Sequence, residues 1–254
     1  MKKKSCPFVW ISVLVLLLFS LICCQSQRSK ERKAASHHCN LGKIYFQQGR
    51  IQEAIAEVKM AMSIEPKNPE YSQWLGIINF SAGNYSEAEE AYLQALKADP
   101  YLTEVHNYLG VLYDQMGKRE DAFRHFEIAL RDRFYRTPES VYFNRSQLYE
   151  REGNIKEAIE DLRRAVEKSP KFYRGHYQLA KLLDRIGNYK EALFEYRVAE
   201  AAYKQDFDFH FLFAMTCMKD GNKEEAQVHF RRVIDLAPGT PSAIKSKEIL
   251  DTLK

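Results

Sequence analysis

The sequence predicts an all-α fold, a right-handed superhelix of six helix-turn-helix repeats, and three observations predict it. Glycines Gly49, Gly83, Gly117, Gly153, Gly187 and Gly221 recur at intervals of 34, 34, 36, 34 and 34 residues. Five residues after each stands an alanine, Ala54, Ala88, Ala122, Ala158, Ala192 and Ala226. Seven residues further comes a second small position, Ala61, Ala95, Ala129, Ala165 and Ala199, with Val233 in the sixth copy. The composition agrees, with 45% hydrophobic and 28% charged residues, 11 Gly and 8 Pro in 254 residues, and few long apolar alternations of period two. Such a chain has material for a packed core and little of the pattern of a sheet protein.

Elements follow in chain order. Met1-Lys2-Lys3-Lys4, an apolar run from Phe8 to Ile22 and then Cys23-Cys24 have the layout of a secretory signal over residues 1–23, with a basic n-region and an apolar h-region. Residues 24–34 read as a short tether. Two readings of this end stand. Either Cys24 becomes a lipid-bearing N-terminus, or residues 6–24 remain as a membrane anchor, since roughly 20 mostly apolar residues can just span a bilayer. Both export the rest of the chain.

Residues 35–240 carry the six copies, at 35–68, 69–102, 103–136, 139–172, 173–206 and 207–240. In each copy a glycine permits the positive φ that ends one helix and turns the chain toward the next, as at Gly83 before Asn84-Tyr85-Ser86-Glu87-Ala88. The alanines let the two helices approach closely. Leu75, Leu109 and Leu179 on first helices and Tyr92, Phe126, Leu162, Tyr196 and Phe230 on second helices fill the seam between them. Pro66, Pro100, Pro170 and Pro238 stop second helices, because proline cannot continue a helix. Between the third and fourth copies, Arg131-Asp132-Arg133-Phe134-Tyr135-Arg136-Thr137-Pro138 adds two residues, either as a spacer or as a contact site. Residues 241–254 place Ile244, Ile249, Leu250 and Leu253 among Lys and Glu, the pattern of a capping helix.

Several function classes are excluded by this layout. The chain has 38 basic and 34 acidic residues, and without Lys2, Lys3 and Lys4 the balance is 35 against 34. That neutrality lacks the basic surplus of a nucleic-acid binder. No phosphate-binding glycine loop, nucleophile elbow or HExxH motif occurs, and the repeats leave no room for a catalytic domain, so the expectation is a non-enzyme without cofactors. Cys39 and Cys217 lie near opposite ends of the array and read as packing residues rather than a disulfide. No Cys/His cluster has zinc spacing. His38, His106, His176 and His210 share one repeat position, and with neighbouring first helices packed roughly 10 Å apart no single ion bridges them. His37-His38 reads as a polar helix start, and no metal site is expected.

A 34-residue helix-turn-helix carrying Leu-Gly, Tyr, Gly, Ala, an aromatic, Ala and Pro in this order resembles the tetratricopeptide repeat. In such arrays the concave face is lined by recurring positions of the first helices. Here these give Lys43 and Phe46; Gln73, Ile77 and Phe80; Asn107 and Val111; and Phe143. The apolar stripe Phe46, Ile77, Phe80 and Val111 suits an extended or helical peptide with apolar anchors, and packing between adjacent copies is the alternative role for these residues.

The end Leu21-Ile22-Cys23-Cys24 resembles a bacterial lipobox, with Cys23 where Gly, Ala or Ser is usual. Together with six copies and the junction Ala129 to Glu139 followed by Val141-Tyr142-Phe143-Asn144, it makes the whole chain resemble the type IV pilus biogenesis lipoproteins, the pilotins of the PilW, PilF and Tgl kind. Where that family continues Asn-Leu-Gly, this chain has Asn144-Arg145-Ser146. The resemblance implies a periplasm-facing outer-membrane lipoprotein, acylated at Cys24, whose groove binds secretin subunits and aids their assembly. A general envelope adaptor for cell-wall or secretion complexes, or a regulator of a partner enzyme, is the alternative.

Overall fold

Each helix pair forms because a first helix ends on a left-handed glycine and a second begins within a few residues. Gly83 shows the device: its φ is +78°, and the following Asn84 N–H reaches back to the carbonyl of Asn79 at 2.9 Å. That is the six-to-one bond that closes a helix C-terminus. The same bond recurs from Arg50 to Tyr45, Lys118 to Tyr113, Asn154 to Tyr149, Asn188 to Leu183 and Asn222 to Cys217. One turn is therefore used six times.

The structure, a computed structural model, describes residues 25–253 in full; of residues 7–24 only their place in the first helix is described. The described elements are α1 (Pro7–Gln47), α2 (Ile51–Ile64), α3 (Pro69–Ser81), α4 (Tyr85–Ala98), α5 (Thr103–Gln115), α6 (Arg119–Arg131), α7 (Pro138–Arg151), α8 (Ile155–Lys168), α9 (Tyr173–Arg185), α10 (Tyr189–Tyr203), α11 (Phe207–Asp220), α12 (Lys223–Leu236) and α13 (Pro241–Thr252). No strand is present among the described residues, and the all-α repeat architecture predicted by the spacing is the one observed. α2, α4, α8 and α12 each stop two residues before the proline that follows them. Residues 25–34, expected as a tether, continue α1 with exposed side chains. Their Gln, Lys, Arg, Glu and Ala residues are good helix formers, and Gln27 donates to Glu31 one turn on. The expected signal over 1–23 and the candidate lipid site Cys24 lie outside the described side chains. Among the described residues no helix is long and apolar enough to cross a membrane.

The chain divides into two compact units, one up to Lys118 and one from Arg119. In the first, α1 packs on α2 and α3 on α4, while the first helices adjoin in the order α1, α3, α5. Its core gathers Ala35, Cys39, Ala54, Val58, Ala61 and Tyr71. In the second unit α7 packs on α8, α9 on α10 and α11 on α12, and α13 closes the end against α12 and α11. One of its clusters is aromatic: Tyr196, Phe209 and Phe213 are buried, with Tyr196 stacked on Phe213 at 5.2 Å and Phe209 edge-on to Tyr196 at 5.6 Å. Each such ring removes enough apolar surface from water to contribute about 2 kcal/mol or more. Cys39 and Cys217 are buried free thiols, and burial pushes them up to about 11 and about 12, so both are inert packing residues.

The seam is tightest where small residues face rings. A Cβ added at Gly76 of α3 would sit 2.4 Å from carbons of the Tyr92 ring of α4. Tyr92 has little freedom to yield, being buried at 2% exposure and stacked on Tyr108 at 5.7 Å. Gly76→Ala is therefore expected to destabilise the chain by about 1–3 kcal/mol through overpacking. A urea midpoint equal to that of the wild type would contradict this packing.

Candidate functional site

The repeat places three kinds of position on the exposed side of the first helices, and the structure separates them. The ninth and twelfth positions of the copies hold Lys43 and Phe46 on α1, Ile77 and Phe80 on α3, and Val111 on α5, all half-buried. They lie on adjoining helices of the first unit. Phe46 leans on the N-terminal core, and Phe80 tilts against Tyr85 with centroids 5.8 Å apart. Polar links tie the same helices together: the Lys43 Nζ donates to Glu70 at 2.7 Å and lies 4.9 Å over the Trp74 ring, and Gln73 Nε2 donates to Glu104 at 3.5 Å. Half-buried apolar side chains thus stand beside paired charges on the same helices.

The fifth position behaves differently and corrects part of the predicted groove. Phe143 is 3% exposed, edge-on to Phe172 at 5.4 Å and covered by the Arg174 guanidinium 4.4 Å above its ring. It is a core residue of the second unit. Asn107 is 6% exposed and Cys39 1%, at the same repeat position. Phe143 and Asn107 are buried between copies, while Gln73 at the same position is half-buried, so helical spacing alone assigns the first two to the wrong surface. In the fourth and fifth copies the twelfth positions are polar and engaged, whereas the sixth copy has Met218, which packs on the aromatic cluster. Glu150 accepts from Gln178 and Arg185, and Asp184 accepts from Thr216 and Lys219. The stripe Phe46, Ile77, Phe80 and Val111 lies in the first unit, while Phe211, Met215 and Met218 of the sixth copy pack against the core of the second.

The fourth copy departs from its relatives for a structural reason. Arg145 donates from Nε and Nη2 to both oxygens of Asp161 at 2.7 and 2.8 Å, and the side chains are 12% and 3% exposed. The Tyr142 and Tyr149 rings flank the guanidinium at 5.9 and 5.7 Å. Ser146, in the small-residue position, turns its hydroxyl onto the Phe143 carbonyl at 2.7 Å. Arg145 is thus the complement of a buried aspartate, and Ser146 bonds within its own helix. The added junction presents Phe134 at 94% exposure, on a turn held by the Asp132 carboxylate accepting from the Phe134 N–H at 2.9 Å.

Sequence reasoning missed a polar slot that crosses three of the hairpins at a separation of 19 residues. His38 Nδ1 meets Glu57 at 2.6 Å, His176 Nδ1 meets Glu195 at 2.5 Å, and His210 Nδ1 meets His229 Nδ1 at 2.9 Å. The far nitrogens of His176 and His210 face the carbonyls of Pro170 and Lys204 at 3.2 and 3.1 Å. Comparing first helices only with each other hid this pairing. The signal was a polar residue immediately before the large seam residue of the second helix. In the sixth copy, burial first and then the neighbouring His210 push His229 down to about 4, so it is neutral near pH 7.

Comparison with known proteins agrees with this architecture. Tetratricopeptide repeat models match residues 39–103 and 109–172, residues 150–210 and residues 207–240. The structure of PilF from Pseudomonas aeruginosa superposes with a TM-score of 0.75 at 19% identity, covering 87% of this chain and 99% of that one. PilW, a widely conserved type IV pilus biogenesis factor, gives 0.71 at 20% identity, covering 85% and 98%. YrrB, a tetratricopeptide protein with an unusual peptide-binding site, gives 0.59 at 20% identity, covering 75% and 97%. No curated protein matches the chain in sequence. The repeated turn, the small-residue seam and the family matches lead to one conclusion: the chain belongs to the tetratricopeptide repeat family.

Proposed function

We propose that this chain is a protein-binding scaffold of the bacterial cell envelope, a pilotin-type factor that holds subunits of a type IV pilus secretin and aids their assembly at the outer membrane. The observation that carries the binding reading is the half-buried apolar stripe Phe46, Ile77, Phe80 and Val111 across three adjoining first helices. An apolar segment of a partner completes the burial that the free chain leaves partial. The choice of partner is supported by the likeness to PilF and PilW, which runs over nearly the whole of those chains, and by the Arg131 to Glu139 junction. The basic and apolar N-terminus ending at Cys24 supports a periplasm-facing anchor, and acylation there would supply the two or more lipid chains that stable membrane residence takes. The role is binding, with no catalytic step.

The test is purification of the tagged protein from its own envelope, with mass spectrometry of co-purifying proteins and of the N-terminal peptide. Recovery of a secretin with an acylated Cys24 is the expected result. Cell-wall enzymes, with Met1 to Cys24 intact, would instead favour a general envelope adaptor on an uncleaved anchor.

A further inference from the structure

We propose that Glu200, His210 and His229 form a binding site for a transition-metal dication of the zinc type, pinning α10 to the sixth hairpin. The three side chains come from three consecutive helices, and one ligand atom of each lies within 4.8 Å of the others. In the sixth copy the residue opposite the first-helix histidine is itself an imidazole, with the two Nδ1 atoms 2.9 Å apart. In the fifth copy the same slot holds Glu195 against His176. A carboxylate there completes a hydrogen bond, whereas a second imidazole presents a second nitrogen ligand.

The surroundings prepare the site. His210 and His229 are 2% and 5% exposed, so their rings are held by packing. The His210 Nε2–H is committed to the Lys204 carbonyl at 3.1 Å, which leaves Nδ1 as the coordinating atom. A backbone carbonyl that fixes the tautomer of a liganding imidazole is the usual outer partner of a metal histidine. Two nitrogens bound to one zinc at 2.0–2.1 Å and a tetrahedral angle stand about 3.3 Å apart, so the Nδ1 pair opens by a few tenths of an ångström to admit the ion. On binding, the proton between the rings moves to the far nitrogen of His229, and no bond between heavy atoms is broken.

Access and charge decide which ion. A cleft of about 530 Å³ reaches Glu200, His210 and His229 from solvent, leaving room for water as a fourth ligand. Lys204, Arg231 and Arg232 line it together with Glu200 and Asp235, giving a local balance of three positive charges against two. That field disfavours Ca²⁺ and Mg²⁺, which bind through oxygen ligands and net negative charge. It leaves ions that gain from imidazole donation, the zinc and copper end of the first row.

The purified, untagged full chain in detergent, stripped with EDTA, should take up one equivalent of Zn²⁺ in a calorimetric titration and gain thermal stability from it. Co²⁺ in its place should give the visible absorption of four-coordinate nitrogen and oxygen ligation. Glu200→Gln, on a half-buried side chain whose loss the fold tolerates, should weaken uptake roughly 10-fold, and His229→Gln roughly 100-fold. His37→Asn, at an exposed histidine of the first copy, should change nothing. Absence of uptake, or uptake that Glu200→Gln and His229→Gln leave unaltered, would overturn the site and reduce the pair to a histidine–histidine hydrogen bond. The partner-capture result is independent of either outcome, because the stripe lies in the first unit.

Discussion

Ile77→Asp combined with Phe80→Asp is expected to reduce partner capture by roughly 100-fold or more, while far-UV circular dichroism stays that of a helical chain. The magnitude follows from losing two apolar anchors at the centre of an interface, each contributing about 2 kcal/mol, with about 1.4 kcal/mol per factor of ten. Both side chains sit on α3, between α1 and α5, so they occupy the middle of the stripe. Each is half-buried rather than exposed. The variant therefore loses some thermal stability, and binding must be measured below its own melting transition. Capture of the secretin at wild-type level would remove the stripe from the site. A chain that fails to fold would return both residues to the core.

Asp161→Ala is expected to cost about 3–5 kcal/mol, because it strands the Arg145 guanidinium, 12% exposed, without its carboxylate. Arg145→Leu added to Asp161→Ala should recover most of that loss, to within about 1 kcal/mol of wild type, since a buried ion pair and an apolar pair are often close in stability. The second copy already has that apolar pair: Leu75 and Ala91 occupy the same two repeat positions and are 8% and 2% exposed. Urea denaturation of the three chains decides it. A double variant as unstable as Asp161→Ala alone would mean that Arg145 stabilises the fourth copy through Tyr142 and Tyr149 rather than through charge balance.

These two results probe opposite ends of what a sequence can say. Phe46, Ile77, Phe80 and Val111, at the ninth and twelfth positions, are half-buried in the structure, because local helix geometry keeps these positions out of the seam with the second helix. The fifth position was not legible in the sequence, because its burial depends on what the next copy lays over it. Arg174 and Phe172 cover Phe143, and neither is implied by the helix on which Phe143 sits. Arg145 looked like a departure from its family until its partner was seen to be Asp161, 16 residues away on the facing helix.

By itself the sequence determined the all-α repeat, its register, the turn at each glycine, the small-residue seam and the capping helix. All of these follow from backbone conformation and side-chain volume within a single copy, where periodicity is enough. The tertiary structure decided which polar residues meet. The pairing of His210 with His229, the convergence of Glu200 upon them and the sealing of Arg145 against Asp161 depend on the distance between facing helices. Pair interactions of this kind act through space, and the chain carries them only as an unremarkable interval of 16 or 19 residues.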